Sequence, residues 1–160
     1  MLAPLRQWLC DACGEIIRSP EAGMVEWLAG VDNKRSGFRI VHRAAHSPRR
    51  PDGSCGYTGP GNADLSLDVL VGEVGMPLLL SFLDVGSARA GCSGPWVEDA
   101  REFVDLTRRL TIPYYEEART LWRAARADGY FEKMDESEMY LPRMLEELVR
   151  KYGQTRHSGS

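Results

Sequence analysis

Cys10 and Cys13 stand two residues apart in the stretch LCDACGEII, at the head of a segment that has little else to fold around. Residues 9–61 are rich in glycine and proline and contain only two short runs of strand character. GMVEWLA (23–29) and GFRIVHR (37–43) each open on glycine and carry β-branched or aromatic residues, which predicts two strands. Between them GVDNKRSG reads as a charged hairpin loop. Two short strands in about 50 residues bury too little apolar surface to stand unaided, because domains below roughly 70–80 residues usually need a staple. The chain must supply one.

Strand alternation places Phe38, Ile40 and His42 on one face and Arg39, Val41 and Arg43 on the other, so His42 is expected on the apolar, inward side. The next stretch, SPRRPDGSCGYTGPGN, packs proline, glycine and serine around Cys55 and reads as loop or turns. Counting along the chain, Cys10 and Cys13 are followed by 28 residues to His42 and 12 more to Cys55. Three thiols and an imidazole suit one tetrahedral Zn(II). Gly14 fits the tight turn after Cys13, since it takes positive φ at no steric cost. His46 competes with His42 for the fourth position, but it falls in the loop rather than on the strand face.

The alternatives are disulfides, free thiols or a redox pair. MLAPLRQWLC has no apolar core of the kind export signals carry, so a cytoplasmic protein with metal-bound thiols is expected rather than two disulfides; Cys92 is then left over. A redox pair normally follows a strand and opens a helix in a βαβ unit, and none is read here.

On these residues, 9–57 resembles the zinc-ribbon and treble-clef class of modules, in which a knuckle, a hairpin and a downstream ligand clasp one zinc. The stretch departs from that pattern in lacking a second Cys-x-x-Cys knuckle. A thiolate-rich set of four protein ligands is closed, which predicts a structural ion, whereas catalytic zinc keeps a position for water. Were His42 or Cys55 not a ligand, the site would open and Glu15 or Glu26 would be the candidate base. VHRAAH also resembles an HNH-like nuclease hairpin, but the proline and glycine after it leave no room for the metal-binding helix such a site needs.

The remainder reads as helices punctuated by glycine and proline. Expected helices cover 64–71, 76–85 with Pro77 in its first turn, 95–110, 113–127 and 137–152. The third carries Trp96, Ala100, Phe103, Val104, Thr107 and Leu110 at helical spacing, with Glu98 and Asp99 at its start and Arg108 and Arg109 at its end, the polarity that the helix dipole favours. The longest apolar run, 76–85, is interrupted by Asp84 and is far short of the roughly 20 residues that cross a bilayer, so no membrane partner is expected.

The net charge of −3 divides into +2 through residue 62 and −5 beyond it. Within the basic half, Lys34, Arg35, Arg39, Arg43, Arg49 and Arg50 fall in seventeen residues without Asp or Glu. If the two loops meet, these form a basic patch beside the zinc, suited to phosphate contacts; otherwise they are solvated loop residues. LTRRLTIPYYEEARTLW resembles a helix-turn-helix segment through Leu106, Leu110 and Ile112, with Arg119, Arg123 and Arg126 on one face. Thr107, Thr111 and Glu117 depart from that pattern, and an ordinary αα-hairpin is the preferred reading. Trp96 and Trp122 are expected in the core, while Trp8 and Trp27 would cover the zinc module. No phosphate-binding glycine loop or nucleophile elbow is present.

The expectation is thus an α+β protein: a zinc-clasped β-hairpin module (1–62) packed on a bundle of four to five helices (63–153), with a polar tail (154–160). Its expected function is non-catalytic, a regulator of bacterial or phage type that binds DNA or RNA. A protein adaptor or inhibitor with structural zinc is the alternative, and a metal-dependent hydrolase or nuclease the less favoured one.

Overall fold

A computed structural model describes residues 1–30, 34–49, 54–84 and 97–153. Arg50, Cys92, Pro95, Trp96 and the tail lie outside these residues. The architecture is α+β, with antiparallel strands in the N-terminal half and five α-helices after them. A small hairpin pairs β1 (Trp8–Leu9) with β2 (Ile16–Ile17). The main sheet is built on β3 (Gly23–Ala29) and β4 (Arg35–His42), in a register that sets Val25 against Ile40 and Glu26 against Arg39.

The main sheet has a third strand that the sequence pattern does not announce. Residues expected to begin a helix at 64 instead form β5 (Asn62–Ser66), which pairs with the free side of β3 from Leu28↔Asn62 to Met24↔Ser66. The unpaired N–H and C=O groups along that side of β3 need partners, and the segment satisfies them. Only one turn of helix remains, α1 (Leu67–Leu70), a length with no stability of its own. Next comes α2 (Gly75–Ser81), shorter than the expected 76–85. Its approach to α1 is so close that a Cβ on Gly75 would lie 1.8 Å from the Leu70 carbonyl oxygen.

The next helix, α3 (Ala100–Thr111), begins five residues later than the proline at 95 suggests. Asp99 caps it, accepting from the backbone N–H of Arg101 at 2.8 Å and of Glu102 at 3.3 Å. Just before it, Val97 bridges to Arg35, which holds the incoming chain extended along the edge of β4. Phe103, Leu106 and Leu110 face the sheet, whereas Val104 is 41% exposed and off the stripe. Four rings, Trp27, Phe38, Phe82 and Phe103, meet with centroids 5.3–6.1 Å apart. Trp27 therefore belongs to the joint between sheet and α3, not to a cover over the cysteines.

Residues on both sides of position 62 share this first core, which runs from Trp8 to Leu110. A second core lies between α4 (Tyr115–Ala127) and α5 (Pro142–Tyr152), around Ala118, Leu121, Leu145 and Leu148. The expected helix from 137 is split because Pro142 is the first residue of α5 and holds Leu141 extended, leaving Glu138–Tyr140 as a separate 3-10 turn. Trp122 packs at the edge of the second core, stacked on Phe131 and Tyr140. No helix among the described residues is long and apolar enough to cross a membrane.

Candidate metal centre

The Cys10–Cys13 turn is a hairpin tip between β1 and β2. Gly14 N–H donates to the Cys10 carbonyl at 2.8 Å, Cys10 N–H donates to the Glu15 carbonyl at 2.9 Å, and Gly14 takes φ +77°. Asp11 then fastens the tip to β4. Its N–H donates to the Ile40 carbonyl at 2.8 Å, and its carboxylate accepts the Ile40 N–H at 2.7 Å. Two residues along β4, on the same face as Ile40, the His42 ring meets the two thiols.

The ligand atoms of Cys10, Cys13, His42 and Cys55 all lie within 4.8 Å of one another, an arrangement compatible with one metal site. His42 Nδ1 is 3.6 Å from Cys13 Sγ and 3.9 Å from Cys55 Sγ. For metal–sulfur and metal–nitrogen bonds of about 2.3 and 2.05 Å, the S···N edge of a tetrahedron is about 3.6 Å. The shorter of the two S···N separations matches that edge and the longer exceeds it by about 0.3 Å. On the far side of the ring, Nε2 is 3.4 Å from the Ile16 carbonyl, so an Nε2–H tautomer leaves the Nδ1 lone pair facing the thiols.

Cys10, Cys55 and His42 are buried and Cys13 is half-buried, whereas His46 is exposed and outside the cluster. Burial raises the pKa of the Cys10 thiol, but backbone donors near His42, Ala12 and Cys13 outweigh it and the net shift is downward. Burial pushes Cys13 up to about 11, reinforced by the neighbouring Cys10 and Cys55 thiols.

Two clamps hold the ligands in place. The first fixes the loop that carries Cys55. Glu26 is fully buried on β3 and pairs with Arg39 opposite it on β4, while its second oxygen accepts the Tyr57 N–H at 2.8 Å. Arg39 stacks 3.5 Å from the Tyr57 ring centre, and Tyr57 O–H donates to the Gly37 carbonyl at 3.0 Å. Glu26 thereby anchors the loop. Beside it, Ser47 Oγ lies 3.2 Å from Cys55 Sγ.

The second clamp joins the knuckle to the helices. Arg109 is buried at 4% exposure on α3, yet donates to Asp11 at 2.7 Å and twice to Glu116 of α4, at 2.7 and 3.0 Å. Glu116 in turn accepts the Leu9 N–H at 3.0 Å, and Trp8 Nε1–H donates to the Arg109 carbonyl at 3.1 Å. Arg119 closes the network on Asp11 and Glu116. Of these residues, sequence reading placed only Trp8 beside the metal module, as a cover. The available sign was Arg109 itself, a charge three residues after Leu106 on an apolar stripe.

The basic run of 34–50 is spread out. Lys34 and Arg35 sit at one end of β4 and Arg43 just beyond the other, with Arg35 and Arg43 about 26 Å apart along an extended chain. Arg35 lies over the Phe82 ring at 4.0 Å, where burial lowers its pKa, and Arg39 is turned to Glu26. At the metal end, Arg43 and Arg49 are exposed, and Arg49 reaches back to donate to the Ala12 carbonyl in the knuckle. In the segment resembling a helix-turn-helix, Arg119 is likewise engaged, while Arg123 and Arg126 are exposed.

Beside the metal centre is a cleft of about 350 Å³, lined by Glu15, Ile16, Arg18, His42, His46 and Pro48. Arg18 is an exposed cation at the metal end that the sequence run did not include. Comparison of the chain with protein-family models, curated proteins and solved structures gives no match.

Proposed function

We propose that this is a non-catalytic zinc protein whose metal end binds nucleic acid, a small regulator of the bacterial or phage type working in the cytoplasm. The observation that carries the reading is the spacing of the four ligand atoms, within 4.8 Å of one another and with S···N separations of 3.6 and 3.9 Å. Three thiolates and an imidazole favour zinc, and four protein ligands fill a tetrahedron, leaving the ion no place for water. The buried carboxylate of Glu26 is held by Arg39 and Tyr57. The ion's role is to order a surface. Exposed Arg18, Arg43 and Arg49 lie around that end and are suited to phosphates.

Metal analysis tests the first part: about one zinc per chain is expected, lost in Cys10→Ser and His42→Ala. Full retention in both variants refutes it. The second part predicts salt-sensitive binding of DNA or RNA that weakens in Arg18→Glu, Arg43→Glu and Arg49→Glu. No binding at low salt refutes that.

One observation favours a second reading, a protein adaptor. Val74, Met76, Leu80 and Leu83, on and beside α2, are 42–58% exposed. That reading predicts salt-tolerant capture of a protein that Leu80→Lys abolishes, with no nucleic-acid binding.

A further inference from the structure

Apart from the ring of His42, the cleft beside the metal centre is lined by groups outside the ligand cluster. In β2 the alternation of side chains buries Ile17 completely and turns Ile16 and Arg18 together to the outer face, leaving Ile16 39% exposed. Pro48 and the exposed imidazole of His46 line the same cleft, and Glu15 contributes its one carboxylate. Apolar faces, an aromatic ring, a cation and a single acceptor are thus collected in about 350 Å³.

We propose that this cleft takes one unpaired nucleotide, so that the nucleic acid recognised is single-stranded. The proposal rests on the nucleic-acid reading above and narrows it. A volume at the lower end of small-ligand clefts admits one nucleotide, not a duplex, whose grooves accept a helix or a β-ribbon. Unpaired bases are held by stacking on aromatic rings and by hydrogen bonds at their Watson–Crick edge, the functions of His46 and Glu15 here. Ile16 and Pro48 cover the other parts of the base, and Arg18 takes the adjoining phosphate. A carboxylate that only accepts favours guanine, which offers N1–H and N2–H side by side. The metal makes the cleft rigid, because the ring of His42 forms part of its lining and bonds the Ile16 carbonyl.

The test is equilibrium binding of labelled eight-nucleotide strands, as DNA and as RNA, to the full zinc-loaded chain at fixed salt. One set has a central guanine among thymines or uracils, one has no guanine, and one is the matching duplex. The guanine strand is expected to bind roughly tenfold more tightly than either. Glu15→Gln is expected to bring the ratio of guanine to guanine-free affinity close to one, and Arg18→Ala weakens both strands. The Glu15 backbone carbonyl, not its side chain, supports the knuckle, and retained zinc shows that each variant is folded. Duplex binding as tight as that of the strands, or a guanine preference that survives Glu15→Gln, overturns the inference and leaves the nucleic-acid reading standing. Absence of binding to every probe overturns both.

Discussion

Asp11 lies between the two cysteines of the knuckle, and its carboxylate accepts a hydrogen bond of 2.7 Å from Arg109, 98 residues further along the chain. The same oxygen accepts the Ile40 N–H. One side chain therefore ties the metal hairpin to both β4 and α3.

Replacing Arg109 by Met is expected to destabilise the fold by about 3–5 kcal/mol, because it leaves buried Glu116 without its main partner. Adding Glu116→Leu removes the stranded charge, so the double variant is expected to be more stable than Arg109→Met alone. Urea denaturation of the wild type, the two single variants and the double variant completes a double-mutant cycle and measures the coupling.

Glu26→Gln keeps the shape of a fully buried side chain but removes the charge that holds Arg39. The loop after Cys55 loses its anchor, and metal affinity is expected to fall roughly 10- to 100-fold, the usual effect of losing support behind a ligand. Competition with a coloured chelator reads this directly.

Chelation of the ion is expected to affect the two cores unequally. The knuckle, β4 and the Cys55 loop lose their common tie, so near-ultraviolet signals from Trp8 and Trp27 should collapse and the melting temperature should fall. The core between α4 and α5 contains no ligand, and much of the helical far-ultraviolet signal should persist. An unchanged melting curve after complete chelation would contradict a structural role.

Gly14 and Gly75 are both needed, for different reasons. Gly14 has open space around its Cβ position but φ +77°, so Gly14→Ala costs backbone strain alone, about 1–2 kcal/mol. Gly75→Ala drives a methyl into the Leu70 carbonyl and is expected to exceed that several-fold or to prevent folding. Thermal melts of the two variants separate the effects.

Some features follow from local rules alone. Side-chain alternation places His42 with Ile40, and the two-residue gap brings Cys10 and Cys13 to one turn, so three of the four clustered groups are legible without any fold. Cys55 is legible because a loop so rich in proline and glycine offers its cysteine no other role. The helices α3 and α4 show through their apolar spacing. By contrast, 62–66 carries no strong strand pattern; it is a strand because β3 has an unpaired side for it.

Charge is the property that sequence left most open. Arg39, Arg43, Arg49 and Arg109 look alike in a linear reading, yet Arg39 is spent on Glu26, Arg109 on Asp11 and Glu116, and Arg43 and Arg49 reach the surface. By itself the sequence determined which side chains gather into one cluster compatible with a metal site, since ligand chemistry and strand parity act over a few residues. Only the tertiary structure decided which cations are free to meet a partner, because a charge is neutralised by whatever folds against it, and here those groups lie up to 108 residues away.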